Sequence, residues 1–511
     1  MHRPSFRARG QALIFGLIFT AVSALVVLML FNSSLLTTTK SQLQNAADAG
    51  AYSAALLQAR DANFSAYTNR AMIANQVAVA QFVSLKSYWD DAAETFSRAN
   101  SVIDKAYRLA PVSAPLWDLA VKAPVNTAKS TVDSFAPKAV WALDLLIAAL
   151  DKAQDLNHTG TMTEMLFVAD EVVKKNDPQA GVTKSAFMLG DAAVRITKWG
   201  NDATKQFSAN DASKEADRFA DVVVDRDSTD LFIRNRASVP NAAWASSVKP
   251  YLCPLAVSTT TIYGFAHFGG TLLSQNKRRW LGLDATQGGG FASCTWLVPC
   301  ITGLCPVTVT VPFPDAKLSP PFLGGSGGAV AGAGGSYSDA LGYKNNPFES
   351  KLYGGALISP AVVPALYRYW VTGPGTTLDA SGGLQDHYRD VADPTNAALK
   401  PKNQTPEENG GKFPITIEVE RTAATVRDTT KLLKDSKQLR LENQLKGNTM
   451  RALSSAHAYF YRSRVDDLKQ FTRNGWSRGG DTEYQNLFSP YWQARLAPTT
   501  PAEEAAAAAA Q

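Results

Sequence analysis

Four cysteines fall in one stretch of the chain, Cys253, Cys294, Cys300 and Cys305. They carry the clearest covalent chemistry the sequence offers. In an exported protein an even, clustered count reads as two disulfides. Three connectivities satisfy that count, and sequence does not choose among them. Closing a loop of tens of residues would add on the order of 3–4 kcal/mol to the region. Four thiolates also suit zinc, but the spacings lack the paired knuckles that orient thiolates tetrahedrally. Free thiols are the remaining alternative.

Other chemistry is thinner. Gly324-Gly325-Ser326-Gly327-Gly328 satisfies Gly-x-Ser-x-Gly, with His387 and His457 downstream. A nucleophile elbow needs a strand before its serine and a helix after it. Pro320-Pro321 on one side and Ala331-Gly332-Ala333-Gly334-Gly335 on the other support neither. The same loop lacks the Gly-Lys-Ser/Thr ending of a phosphate cradle. The five histidines, at 2, 158, 267, 387 and 457, are scattered, and none pairs at metal-ligand spacing. Asp90-Asp91 and Asp466-Asp467 read as solvated helix faces, and Lys277-Arg278-Arg279-Trp280 as a solvated turn. No enzyme constellation emerges, and no cofactor, metal or small-molecule substrate is expected.

The elements come next. Residues 12–31 hold no charge and no proline, and the uncharged run continues to Thr39. Twenty such residues match the hydrocarbon core of a bilayer. Arg3, Arg7 and Arg9 precede the run and Lys40 follows it, so the N-terminus is expected in the cytoplasm. A cleaved secretory signal is the rival reading. Its apolar core would be shorter, and Leu35 and Leu36 stand where a signal peptidase wants small residues. Either way the body is exported. With 51 basic and 45 acidic residues the net charge is +6; without the three arginines, 48 basic residues face 45 acidic ones. No dense basic patch interleaved with aromatics supports nucleic-acid binding.

The chain's 511 residues, 45% of them hydrophobic, exceed one core. The expected fold class is α+β: a single N-terminal transmembrane helix continuing into a long stalk helix and helical body, then a mixed α+β distal part. The segments are a basic N-terminus 1–11, the membrane helix 12–31, a stalk 32–110, a helical body 111–239, a cysteine-containing β and loop region 240–345, an α+β region 346–496 and a disordered alanine-rich tail 497–511. Between Pro4 and Pro111 there is no proline, and the only glycines are Gly10, Gly16 and Gly50. Residues 140–150 are too apolar to be exposed and read as a buried helix. Residues 257–263, 307–311 and 413–420 alternate and are β-branched, as strands are. Six prolines between 299 and 321 and seven glycines between 324 and 335 mark an irregular loop. Residues 429–445 read as an amphipathic helix. Leu43, Ala47, Gly50 and Ala51 form a small-residue face on the stalk that permits close helix contact.

Arg9-Gly10-Gln11-Ala12-Leu13 opening an apolar helix, then Leu43-Gln44-Asn45-Ala46-Ala47-Asp48-Ala49-Gly50-Ala51 directly after it, resembles the N-terminal module of TadE/TadG-like proteins. These belong to the Tad (Flp) pilus-assembly systems of bacteria. The resemblance continues through Tyr67-Thr68-Asn69-Arg70-Ala71-Met72 to about residue 90, and returns in Asn486-Leu487-Phe488-Ser489-Pro490-Tyr491-Trp492. It implies a non-enzymatic, single-pass inner-membrane protein with a periplasmic or surface-exposed body and other pilus-assembly proteins as partners. Family members cut by a prepilin peptidase have glycine at the cut and glutamate five residues on. Gly10-Gln11 would be that cut here, but Phe15 holds the fifth place. The larger uncut members fit better. A tethered or secreted adhesin is the alternative function; a sensor is not, because eleven residues before the membrane leave no output domain.

Overall fold

With no proline between Pro4 and Pro111 and few glycines, nothing in that stretch stops a helix once it has begun. The result is α1, Arg9–Tyr107, one unbroken helix of 99 residues, about 150 Å long at 1.5 Å per residue. The computed structural model describes residues 9–107, 119, 122–200, 204–208, 218–236, 238–246, 258–275, 277–300, 303–313, 325–332, 376–379, 384, 387–391, 412–426, 449–461, 477–478, 482–483 and 485–509.

A second helix, α2 (Ala123–Asn176), lies antiparallel along α1. Pro124 sits in its first turn, where a missing N–H costs nothing, and Pro137 is accommodated within it. The pairing is read from the contacts. Lys86 of α1 meets Asp133 of α2 at 2.9 Å, Thr68 meets Gln154 at 2.6 Å, and Gly50 faces Val173. As α1 leaves its exposed apolar end, α2 returns toward it.

Two sheets clothe this pair. The first has the order β1-β10-β11-β14, all antiparallel: Ala180–Val182, Lys412–Thr422, Thr449–Phe460 and Trp492–Ala497. The second has six strands in the order β3-β4-β5-β7-β8, with β6 also paired to β5: Ser238–Ser246, Ser258–Leu273, Arg279–Cys300, Ser326–Gly332, Thr376–Asp379 and, for β6, Gly303–Phe313. Two separate pairs join β2 (Thr204–Ser208) to β9 (His387–Val391) and β12 (Ser477–Arg478) to β13 (Thr482–Glu483). Each large sheet closes one core on α1. The proximal core gathers Leu43, Ala47 and Ala54 of α1 with Val173 of α2 and Ile415, Ile417 and Ala456 of the first sheet. The distal core gathers Met72, Val79 and Val83 with Val140 and Ile147 of α2 and Trp280, Ala329 and Ala331 of the second sheet.

The architecture is therefore the expected mixed α+β fold behind a long apolar helix. The strand readings at 257–263, 307–311 and 413–420 fall in β4, β6 and β10. The 32–110 stalk packs against the body, as expected, with one face of it in both cores. Three expectations need correction. The helical body 111–239 is one long helix followed by short strands and helices, including β1 and β2. The proline- and glycine-rich stretch contains β6 and β7. Glycines make β7 possible: a Cβ on Gly327 would collide with the Ser87 carbonyl of α1, and one on Gly325 with the backbone of Asp91 and Thr95.

The tail provides the third correction. Residues Pro501–Ala509 form α6, capped by a reciprocal pair: Glu503 N donates to Thr500 Oγ1 at 3.2 Å and Thr500 N to Glu503 Oε2 at 2.7 Å. That is a capping box, and Ala507 joins the proximal core. The amphipathic reading at 429–445 and Asp466-Asp467 lie outside the described residues.

Candidate anchor and assembly surface

The first part of α1 exposes what a soluble helix would hide. Leu13, Phe15, Phe19, Val27 and Leu30 all project free of the body, and the most apolar window of this helix is 0% buried. Among the described residues α1 is the one helix long and apolar enough to cross a membrane. Its threonine hydroxyls bond carbonyls of the helix itself. Thr20 Oγ1 donates to the carbonyls of Gly16 and Leu17 at 3.0 and 2.9 Å, and Thr37, Thr38 and Thr39 donate four residues back. Lipid offers no other acceptor. Burial begins at Thr39 and Leu43. Gly10 opens α1, while Gln11 has no described side-chain environment.

The face of Leu43, Ala47, Gly50 and Ala51 does accept close neighbours, as its small residues suggest. Its occupant is the chain itself. All three non-glycine side chains are 0% exposed. A Cβ at Gly50 would lie 2.7 Å from Val173 Cγ2 and 3.4 Å from the Ala169 carbonyl of α2. In the folded body this face is covered by α2 and the first sheet.

Residues far apart in sequence meet just above it. Asn69 Nδ2 donates to the carbonyls of Arg389 and Leu487 at 2.8 and 2.6 Å. Arg70 Nε donates to the Phe488 carbonyl at 2.6 Å. Asn63 caps Trp492 from both sides, accepting from its N–H at 3.0 Å and donating to its carbonyl at 2.9 Å. Asn486 folds its own loop by accepting from the N–H groups of Phe488 and Ser489. Trp492 then stacks on Phe413, with centroids 4.8 Å apart. The two sequence segments quoted for the family resemblance, near residues 67–72 and 486–492, are thus one structural unit.

Nearby, His158 of α2 bonds Asp61 of α1 at 2.6 Å and the Gly200 carbonyl at 3.1 Å. Here α1 and α2 are joined by polar groups inside the core.

The distal half is held by buried charge. Asp284 of β5 is 0% exposed. It takes two parallel bonds from Arg236 at 2.7 Å each, one from Ser87 at 2.5 Å and one from His267 at 3.1 Å. Arg236 is delivered by the short helix α5 (Leu231–Arg234; α3 and α4 being Ala193–Lys198 and Arg218–Val223), whose first turn Asp230 caps. The other ring nitrogen of His267 faces Asp91 at 3.1 Å and Thr286 at 2.9 Å.

Burial alone would raise the Asp284 carboxyl, yet the Arg236 guanidinium and His267 hold it below the usual range. Burial would lower His267, but its bonds to Asp284 and Asp91 prevail and push it up to about 9. Burial raises Asp91 against the pull of His267. Tyr88 is raised by burial and by both carboxylates. Gly269 leaves the room that Asp284 occupies. Every charged group of this cluster is engaged by another, so it serves as a clamp between α1 and the second sheet.

The remaining candidates disperse. Ser326 stands at the start of β7, with its N–H and hydroxyl on Glu94 Oε2 at 2.7 and 3.0 Å. A strand follows it, so no elbow forms. His387 is in β9, and His457 of β11 accepts from Arg495 at 2.8 Å. Asp91 is buried, and Asp90 pairs with Lys86 and Lys129, so the solvated reading of that dipeptide is corrected. So is the solvated turn: Lys277, Arg279 and Trp280 are buried, and Trp280 Nε1 donates to Gln76 at 3.0 Å.

Cys300 and Cys305 form a disulfide; Cys253 lies outside the described residues, and Cys294 is in β5. An open groove between Trp89 and the first turns of α2 is lined by no titratable side chain. Among the described residues no three His, Cys, Asp or Glu gather for a metal. Residues 140–150 are only half buried: Val140 and Ile147 face the distal core, while Trp141, Leu145 and Leu146 are exposed. An 11-residue apolar run does not fit under one face of a helix.

Residues 10–60 match the Tad family, described as Putative Flp pilus-assembly TadE/G-like. No curated protein and no solved structure matches the chain.

Proposed function

We propose that this chain, TadE/G-like over residues 10–60, is a membrane-anchored, non-enzymatic structural component of a Flp pilus-assembly system. Its N-terminus lies in the cytoplasm and its body outside the inner membrane. One observation carries the reading: the family segment is the stretch of α1 that leaves the exposed apolar window and enters the proximal core. A retained anchor is favoured over a cleaved signal by the same continuity, since cutting near residue 36 would fall inside α1. Phe15 in place of glutamate argues against pilin-like cleavage at Gly10-Gln11. The oxidised pair Cys300–Cys305 suits an exported compartment, and we assign Cys253 and Cys294 to the second bridge. With the small-residue face of α1 closed, partner subunits would meet other surfaces, among them the exposed Trp141, Leu145 and Leu146 of α2.

The reading is tested in the full chain. A C-terminal reporter active only in an exported, oxidising compartment should be active, and the protein should resist high-salt extraction from membranes. Deletion of the gene should remove surface pili, and complementation with the full chain should restore them. A cytoplasm-only reporter signal, or normal piliation after deletion, would overturn the proposal. An adhesin outside any pilus system would instead leave pili intact and abolish attachment alone.

A further inference from the structure

Residues 285–314 contain no Asp, Glu, Lys, Arg or His. Thirty consecutive uncharged residues in a loop-rich half of a balanced protein demand an environment. Within this stretch β5 pairs with β6 from Gly290↔Phe313 to Cys300↔Gly303. At its end the two strands show apolar groups on both faces. One face carries Leu297, Pro299, Leu304 and Pro306, all exposed. The other carries Val298 and Val307, also exposed, since neighbours on a strand point to opposite sides. Leu304 is 65% exposed. The Cys300–Cys305 disulfide staples the end, and Gly303 stands at the turn with φ +128°, a backbone conformation that only glycine adopts without strain.

Direction follows from the contacts of β5 with α1. Trp280 meets Gln76, Asp284 meets Ser87 and Thr286 meets Asp91. The strand therefore runs with α1, away from the anchor. From Lys40 to Asp91 the helix rises about 75 Å, and from Thr286 to Cys300 the strand extends up to about 45 Å more. The tip points away from the membrane that holds α1.

A protein partner adding a strand would need backbone donors along the edge. Pro299, Pro306 and Pro312 remove three of them. The same prolines lower the cost of bringing the tip into a poorly hydrated place, because fewer N–H groups lose water. Two apolar faces, no charge and a stapled turn suit shallow entry into a bilayer interface. The strand edges limit that entry to the tip.

We propose that the end of this hairpin, residues 297–300 and 303–307, is a lipid-docking wedge that engages a second phospholipid surface opposite the anchoring one. It takes from the proposed function only the anchored topology. With no charge on the hairpin, docking needs no anionic headgroup and does not weaken with salt.

The full-length protein is reconstituted into dense proteoliposomes and mixed with light, fluorescent, protein-free phosphatidylcholine vesicles. Sedimentation should carry down several-fold more fluorescence than protein-free dense vesicles do, equally at low and high salt. Leu297→Asp with Leu304→Asp should reduce capture about tenfold or more. Leu297→Ser with Leu304→Ser should reduce it by less, and serves should the charged pair fail to fold. Background capture by the native chain, undiminished capture by a folded variant, or a need for anionic lipid would each overturn the wedge. Protein missing from the dense vesicles would instead indict the anchor.

Discussion

The two halves of α1 that enter the body solve the same packing problem by different means. Proximally, residues 43–62 are rich in alanine, and α2 approaches until a single methyl on Gly50 would clash. Distally, Ser87, Asp91 and Thr95 meet β5 and β7 through hydrogen bonds and buried ions. The first contact depends chiefly on shape, with the buried His158–Asp61 bond beside it. The second depends on Asp284, Arg236, His267 and Asp91 keeping compatible charges. A long helix can therefore carry one core that fails by overpacking and another that fails by losing a charge.

The largest effect should come from the distal clamp. Asp284→Asn would leave Arg236 and His267 buried against a neutral amide, and loss of one partner of a buried pair costs about 3–5 kcal/mol. Hydrogen exchange should show the second sheet loosened while the first stays protected. Equal loosening of both would mean that the cores are one cooperative unit. Next, Ala47→Leu with Ala51→Leu overfills the proximal face at a cost of about 2–3 kcal/mol. Thermal unfolding should shift, with exchange concentrated in β10 and β11. If both proteins unfold as native, the body does not close on α1.

pH separates the halves without mutation. The folded His267 titrates near 9, above its ordinary 6.5. Its stabilisation is fully present below pH 6.5 and is lost as pH rises through 9, on the order of 2 kcal/mol. Distal exchange should accelerate over that window and proximal exchange should not. Asn69→Ala, which strands the carbonyls of Arg389 and Leu487, should cost about 1–2 kcal/mol and release the 486–492 loop first.

The smallest change is a gain. Burial, with Asp379 nearby, raises Asp144 from 3.8 to about 7. That penalty is absent below pH 3.8 and grows as pH rises to 7. Asp144→Asn should therefore stabilise the protein at pH 8, by on the order of 1 kcal/mol after allowance for its partial exposure, and have little effect at pH 4.

Part of this was legible beforehand. The small face at Leu43, Ala47, Gly50 and Ala51 announced close packing, because side-chain size is a local property. Its occupant was not announced, because Val173 and Ile417 lie more than a hundred and more than three hundred residues away. Asp91 and Lys277 looked solvated for the same reason: a charge reads as exposed until its partner is known. The capping box Thr500-Pro501-Ala502-Glu503 was a signal available in the sequence, hidden by the low complexity of the alanines after it.

The sequence by itself determined that α1 is long, helical and apolar at its start, that 413–420 is a strand, and that residues 10–60 match the TadE/G-like family. Each follows from propensity, periodicity or motif within a short window. Only the tertiary structure decided that one face of the stalk enters both cores and that a glycine run is a strand pressed on a helix. It also decided that four scattered residues, Asp91, Arg236, His267 and Asp284, make one ionic clamp. Those outcomes depend on the cost of burying a group against a particular neighbour, and that neighbour is supplied by a part of the chain too distant for any local pattern to encode.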